Sequence, residues 1–310
     1  MNEIAVRAES LTRDFGPIRA VDGLTLEIPR GIVFGFLGPN GSGKTTTIRL
    51  LLGLLEPTSG RAEVLGYDTV RQAEEIRRRT GALLEYSGLY ERLSAEENLD
   101  FYGRIARIPA AARSKRIAEL LDHLGLYGRR GEAAGTWSRG MKQKLAVARA
   151  LLHEPALIFL DEPTAGLDPE AAASLREDLA RLSAREGVTV FLTTHNLAEA
   201  ERLCQRVGVI RDGKLLADGH PDDLRRRTGS PRLEVIGTGF SADLLAVLRA
   251  RPEVAAAAQE NGRLVVDLHG EAPGAPLVSL IAGAGAQIEE IHRGAESLEQ
   301  VFLALTREGS

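Results

Sequence analysis

The 310 residues suffice for one large domain and a small one, and a 44% hydrophobic content fills a core, which excludes disorder as the default state. A formal net charge of -4 with 26% charged residues lacks the basic balance of a phosphate-backbone binder, so no nucleic-acid partner is expected. The single cysteine, Cys204, excludes an internal disulfide and fits a reducing, cytosolic setting.

MNEIAVRAES has neither the basic start nor the apolar core of a signal segment, and no run approaches the roughly 18 apolar residues of a membrane span. Any membrane crossing is therefore expected in another chain. The first 30 residues alternate apolar and polar, as in IAVRAESLTRDF and AVDGLTLEI, which predicts short antiparallel strands in a small β layer. The run IVFGFLG (Ile32 to Gly38), a glycine-rich turn and TTTIRLLLGLL then read as strand, phosphate loop and helix. From about Arg71 to Ala134 the spacing is helical, with Gly and Pro breaks, and predicts an inserted helical subdomain. Apolar runs return at ALIFL and VTVFLTT around the helical stretch PEAAASLREDLARLSAREG, the pattern of buried parallel strands with a crossover helix. After RDGKLLADGHPDDLRRRTGSP, strand-like and helix-like pieces alternate in a separate α+β module ending in the amphipathic SLEQVFLALT.

Two motifs, read together, carry chemistry. GPNGSGKT, Gly38 to Thr45, fits GxxxxGKT between a predicted strand and a predicted helix. Gly38, Pro39, Asn40, Gly41, Ser42, Gly43, Lys44, Thr45 and Thr46 then form a loop whose backbone N–H groups and helix dipole hold phosphate oxygens. Lys44 bridges the β- and γ-phosphates of ATP, and the Thr45 hydroxyl takes Mg²⁺. ALIFLDEP sets Asp161 and Glu162 at the end of a buried strand, where two carboxylates are costly unless a cation and a proton transfer need them. This is the Walker B pattern: Asp161 on the Mg²⁺ shell, Glu162 as the base that polarises water. Alone, such a pair also serves as a cap or solvated turn.

Between these motifs, TWSRGMKQKLAVARALLHEP resembles the ATP-binding cassette family, whose LSGGQ signature stands here as WSRGM. Ser138 and Gly140 match; Arg139 replaces a glycine and Met141 a glutamine. SRGMKQ, LDEP, AGLDP and TTH follow in the family's order. The resemblance implies that Ser138 and Gly140 face ATP held by an opposite subunit and that Asp168 of AGLDP meets that subunit. It implies also that His195 contacts the γ-phosphate and attacking water. Local readings coexist: Ser138 and Asp168 fit helix caps, and a histidine at a strand end is often structural. Phe15 lies where the family stacks a ring on adenine, though an aromatic there also serves as core. Glu85 stands where most relatives have glutamine; a carboxylate accepts but does not donate, so it would act through Mg²⁺ or water.

The implied fold is α/β: a phosphate-loop ABC ATPase core with antiparallel β layer and helical subdomain, residues 3–225 with the subdomain about 71–155, plus a small C-terminal α+β domain at 230–310. The implied function is an ATP-hydrolysing subunit, with ATP and Mg²⁺, of an ABC transporter. It would sit on the inner face of the cell membrane through a separately encoded polytopic permease. One cassette per chain implies a homodimer or a close paralogue with two ATP at the interface. The ending SLEQVFLALT is similar to stand-alone ATPases of the daunorubicin-resistance type, which implies export of a drug-like or hydrophobic compound. Another class, a soluble cassette protein remodelling a ribosomal or nucleic-acid complex, would be expected to carry two cassettes or long coiled coils. A phosphate-loop kinase would have no use for SRGMKQ, AGLDP and TTH.

Overall fold

The structure, a computed structural model, describes residues 3–85, 87–228, 232–260, 262–269 and 273–294. The chain divides into two compact units, Met1–Gly219 and His220–Ser310.

The first unit opens with β1 (Ile4–Phe15) and β2 (Ile18–Pro29), each of 12 residues and so longer than the short strands their alternation suggests. Register shifts let both strands run on past irregular positions. Next come β3 (Val33–Leu37), α1 (Lys44–Leu51), β4 (Ser59–Val64), β5 (Tyr67–Asp68), α2 (Ala73–Arg79) and β6 (Thr80–Leu83). The helices α3 (Ala95–Ile105), α4 (Ala110–His123) and α5 (Arg139–Leu151) follow, then β7 (Leu157–Asp161), α6 (Pro169–Glu186), β8 (Thr189–Thr194), α7 (Leu197–Leu203), β9 (Arg206–Arg211) and β10 (Lys214–Gly219).

One sheet, ordered β2-β1-β4-β5, is antiparallel. The other runs β10-β9-β3-β8-β7-β6, parallel throughout except for β10. VFGFL of β3 and TVFLTT of β8 are buried at every residue, because parallel strands covered on both faces have no solvent side on which to alternate. Phe191 sits among Phe34, Phe36 and Phe159 at centroid distances of 5.3, 5.6 and 5.4 Å. Each buried ring stabilises by about 1.5–3 kcal/mol, so this cluster anchors the sheet.

Within the stretch that reads as helical, Thr80–Leu83 is a strand of the central sheet, paired with β7. Four residues are too few to break the helical spacing around them. Gly81 lets this strand lie against α5: a Cβ there would fall 2.0 Å from the Ala150 carbonyl oxygen. Helix α3 carries a capping box, Ser94 N–H to Glu97 Oε2 at 2.8 Å and Glu97 N–H to Ser94 Oγ at 3.2 Å, and its Asp100 accepts from Arg113 Nε of α4 at 2.6 Å. That guanidinium holds the Asp100 carboxyl below its usual range. Cys204, just after α7, is buried, and its Sγ fills the space a side chain on Gly35 of β3 would need, since a Cβ there would lie 2.7 Å from it. Burial pushes the thiol's pKa up.

The second unit contains α8 (Pro221–Thr228), β11 (Arg232–Thr238), α9 (Ala242–Arg249), β12 (Val254–Glu260), β13 (Arg263–Leu268), α10 (Gly274–Gly283) and β14 (Gln287–Gly294). From β11 onward this is a split β-α-β-β-α-β module with an antiparallel sheet ordered β12-β13-β11-β14. Leu233, Val235, Leu244, Leu248, Val266 and Ile281 belong to its own core. The segment SLEQVFLALT lies outside the described residues. Among the described residues no helix is long and apolar enough to cross a membrane.

Asp178 of α6 is 2% exposed and paired with Lys144 Nζ of α5 at 2.7 Å. Asp178→Ala leaves the lysine without its counter-charge, and the first unit is expected to lose about 3–5 kcal/mol. Urea unfolding followed by fluorescence of Trp137, the single tryptophan and a residue of this unit, measures it.

Candidate active site

The phosphate loop joins β3 to α1 and is shaped by close approaches. A Cβ on Gly38 would come within 2.3 Å of the Ile210 carbonyl oxygen and 2.6 Å of Ser42 Oγ. Gly43 has φ +105°, and a Cβ there would meet the Ala20 carbonyl oxygen at 2.3 Å, so only glycine fits. Gly43 is also the N-cap of α1 and offers no side chain, which leaves the first-turn N–H groups free for an anion. Lys44 is 5% exposed and donates to the Gly38 and Pro39 carbonyl oxygens at 2.8 and 3.1 Å, with Glu162 Oε1 at 3.3 Å. Buried Ser42 has an Oγ without a hydrogen-bond partner among the described residues.

Asp161 ends β7 between two hydroxyls. Thr45 Oγ1 donates to its Oδ2 at 2.7 Å and Thr193 Oγ1, from β8, to its Oδ1 at 2.5 Å. Glu162 follows at φ +47°, a left-handed conformation that costs a non-glycine residue about 1–3 kcal/mol and marks functional turns. Its N–H donates to Thr193 Oγ1 at 2.9 Å, which fixes the turn. Glu162 Oε2 lies 2.9 Å from His195 Nδ1. A carboxylate only accepts, so Nδ1 carries the proton of this bond. Lysine, carboxylate, imidazole and the Thr45–Asp161 pair thus meet at the carboxyl ends of β3, β7 and β8.

Lys44, Thr45, Asp161 and Glu162 line a cleft of about 770 Å³ together with Glu85, Arg139, Lys142 and Gln143, and with Asn40 and Thr46 of the phosphate-loop stretch. Phe15, Gly38, Pro39, Ser42, Ser138, Gly140, Asp168 and His195 are not among its lining residues. Ser138 Oγ caps α5 by accepting from Met141 N–H at 3.3 Å, and Asp168 Oδ1 caps α6 by accepting from Ala171 N–H at 2.8 Å. A Cβ on Gly140 would touch the Ala171 Cβ at 2.8 Å, so the turn into α5 sits tight on α6. Phe15, at the end of β1, is 43% exposed with the Arg13 guanidinium carbon 4.7 Å from its ring centroid, which rules out a core position.

The profile of the ABC transporter family matches residues 21–165, the span holding the phosphate loop, the turn into α5 and Asp161–Glu162. The chain is 36% identical over 313 aligned positions to the daunorubicin resistance ATP-binding protein DrrA2 of Streptomyces coeruleorubidus, covering 99% of this chain and 96% of that one. This chain belongs to the ABC transporter family. It is also 42% identical to the bacitracin transport ATP-binding protein BcrA of Bacillus licheniformis over 72% of each chain. The solved structure of cbiO1 from Clostridium perfringens, part of the ABC transporter complex cbiONQ, matches 72% of this chain and 90% of its own with a TM-score of 0.67 at 27% identity. As an ABC ATPase the chain binds and hydrolyses ATP as the ATP-binding subunit of a transporter, whose membrane-crossing part lies in a permease.

The sequence reading passed over Thr193 and the basic wall of the cleft in this ABC ATPase. Period-two alternation in VTVFLTT could have shown that Thr193 and Thr194 face opposite sides, one toward Asp161. Arg139 registered only as a departure from the signature; its guanidinium lies against Gly166, where a Cβ would meet Nη1 at 2.4 Å. Lys44→Ala is expected to abolish hydrolysis and greatly weaken ATP binding, because the triphosphate loses its one buried ammonium. Phosphate release and titration calorimetry with ATP check both.

Proposed function

We propose that Thr45 and Asp161 hold Mg²⁺ beside the phosphates, that Glu162 is the general base for hydrolysis, and that His195 orients it. The observation that carries this reading is the hydrogen-bonded series Thr45–Asp161–Thr193–Glu162–His195 at the mouth of the phosphate loop. Hydroxyl and carboxylate oxygens are the hard donors Mg²⁺ prefers, and a sparse protein set suits an ion that keeps water and substrate phosphates as further ligands. Among the described residues no three His, Cys, Asp or Glu side chains gather as a denser metal cage. Bound there by Thr45 and Asp161, Mg²⁺ would neutralise phosphate charge.

The chain's own residues do the rest. Lys44 exchanges its carbonyl and carboxylate partners for phosphate oxygens, which frees Glu162 Oε1 to accept a proton from water. His195 keeps the other carboxylate oxygen in place. Phe15, exposed at a strand end, stacks on adenine. Ser138, Gly140 and Asp168 complete a second nucleotide site in trans, so the working unit is a homodimer with two ATP between the subunits. The loop N–H groups of Gly38 to Thr46 cradle the phosphates, and Glu85 reaches the Mg²⁺ shell through water. The cassette spans 3–225, and the module at 230–310 governs assembly or regulation.

The same reading assigns a separately encoded permease, a place on the cytoplasmic face of the membrane, and export of a drug-like or other hydrophobic compound. Support comes from relatives named for daunorubicin resistance and bacitracin transport. Co-purification with a polytopic membrane protein tests the partnership.

Glu162→Gln keeps shape and hydrogen-bonding reach but removes the basic carboxylate, so turnover is expected to fall ~10²- to 10⁴-fold with ATP binding retained. The variant should run as a dimer with MgATP in gel filtration and as a monomer without it; parental turnover removes Glu162 as the base. Glu85→Gln is expected to change the Mg²⁺ concentration needed for half-maximal turnover, because an amide carries no charge for the cation's shell. A superimposable Mg²⁺ titration removes that role for Glu85.

A further inference from the structure

Glu199 lies on α7, one helical turn beyond His195, and is 3% exposed. A buried carboxylate is costly unless donors surround it. Here Oε2 accepts from two hydroxyls, Thr164 Oγ1 at 2.8 Å and Thr194 Oγ1 at 3.0 Å. Oε1 has no hydrogen-bond partner among the described residues and lies 3.9 Å from Arg176 Nη1 of α6, an ion pair without a hydrogen bond. These partners come from three separate segments. Thr164 stands two residues past Glu162, Thr194 immediately before His195, and Arg176 on the helix that Asp168 caps. Thr194 Oγ1 also accepts from Asn196 N–H at 3.0 Å, and Asn196 Oδ1 from Glu199 N–H at 3.1 Å, so the turn carrying His195 closes back onto Glu199.

From this geometry we infer that Glu199 is a positioning residue for hydrolysis, holding Glu162 and His195 at hydrogen-bonding distance by clamping the loops that carry them. The inference rests on the roles assigned above to those two side chains. Adjacent threonines on β8 divide the work, because successive strand residues face opposite sides. Thr193 fixes Asp161 and the Glu162 N–H from one face, and Thr194 hands the His195 loop to Glu199 on the other. If either loop shifts alone, a buried anion loses a donor, so the two loops move together. A packing role would require only volume, which neither explains the two hydroxyls on one oxygen nor the arginine beside the other.

The test uses the full chain and compares Glu199→Ala, Glu199→Gln and Thr194→Val, the last deleting one arm without opening a cavity. For Glu199→Ala we expect kcat to fall ~10- to 100-fold, the usual effect of losing a residue that orients a catalytic group, with ATP affinity from calorimetry unchanged. Glu199→Gln keeps an oxygen able to accept both hydroxyls and should recover most of the turnover, while Thr194→Val falls between. In nucleotide-free protein, the His195 imidazole resonances should move in Glu199→Ala and Thr194→Val and stay near parental in Glu199→Gln. The double variant His195→Ala/Glu199→Ala should lose clearly less than the product of the two single losses, since Glu199 acts in part through His195. Additive losses, unmoved His195 resonances, or ATP affinity lost in step with kcat in Thr194→Val would overturn the proposal. Parental turnover in both His195→Ala and Glu162→Gln would instead remove the premise, whereas slowed His195→Ala beside a fully active Glu199→Ala would remove Glu199 alone.

Discussion

A buried ammonium has to be surrounded by acceptors, and the carboxyl end of the central sheet is organised around that need at Lys44. Two loop carbonyls and Glu162 Oε1 hold it at 2.8, 3.1 and 3.3 Å. The carbonyls are available because Gly38 and Gly43 let the loop fold where any Cβ would collide. The carboxylate is available because Glu162 adopts a left-handed turn, which Thr193 holds from the neighbouring strand. An incoming triphosphate offers a stronger set of acceptors at the same place. In the proposed reading, ligand binding and release of the Glu162 carboxylate are then one event rather than two.

Parallel strand order explains why so few elements supply so much chemistry. Strands β3, β7 and β8 are neighbours in the sheet although they come from distant parts of the chain, and all point their carboxyl ends the same way. Residues 44, 161, 162, 193 and 195 therefore meet without any long loop having to reach across, the arrangement in which open α/β sheets bind ligands. Arg139, Lys142 and Gln143 of α5, with Glu85, also line the cleft.

The sequence made legible whatever rests on uninterrupted signals: the all-apolar strands β3 and β8, the glycine pattern of the phosphate loop, and the acidic pair at a strand end. Thr80–Leu83 was hidden because a strand of four residues beside helices has too little length to show its own period. Its membership of the sheet depends on a close approach to α5 that Gly81 permits, a tertiary fact. Ser138 and Asp168 illustrate a different limit. Both local readings of each residue, helix cap and ligand contact, use the same oxygen, and within one chain that oxygen is engaged in capping. Glu199 stayed unread because its partners Thr164, Thr194 and Arg176 converge only through the fold.

The packing of Cys204 under β3 has a consequence for how motions of this region become visible. Alkylating reagents attack thiolates within reach of solvent, and this thiol is both enclosed and held protonated. Its sulfur occupies the gap above Gly35 at the end of the short helix that bears Glu199. Reaction therefore requires that helix to lift away from the sheet. With one sulfhydryl in the whole sequence, the labelling rate under native conditions reports the free energy of that single opening, free of signal from any other site. A nucleotide that tightened the loops around Glu162 and His195 would slow the reaction, so the cysteine turns a mechanical coupling into a chemical rate.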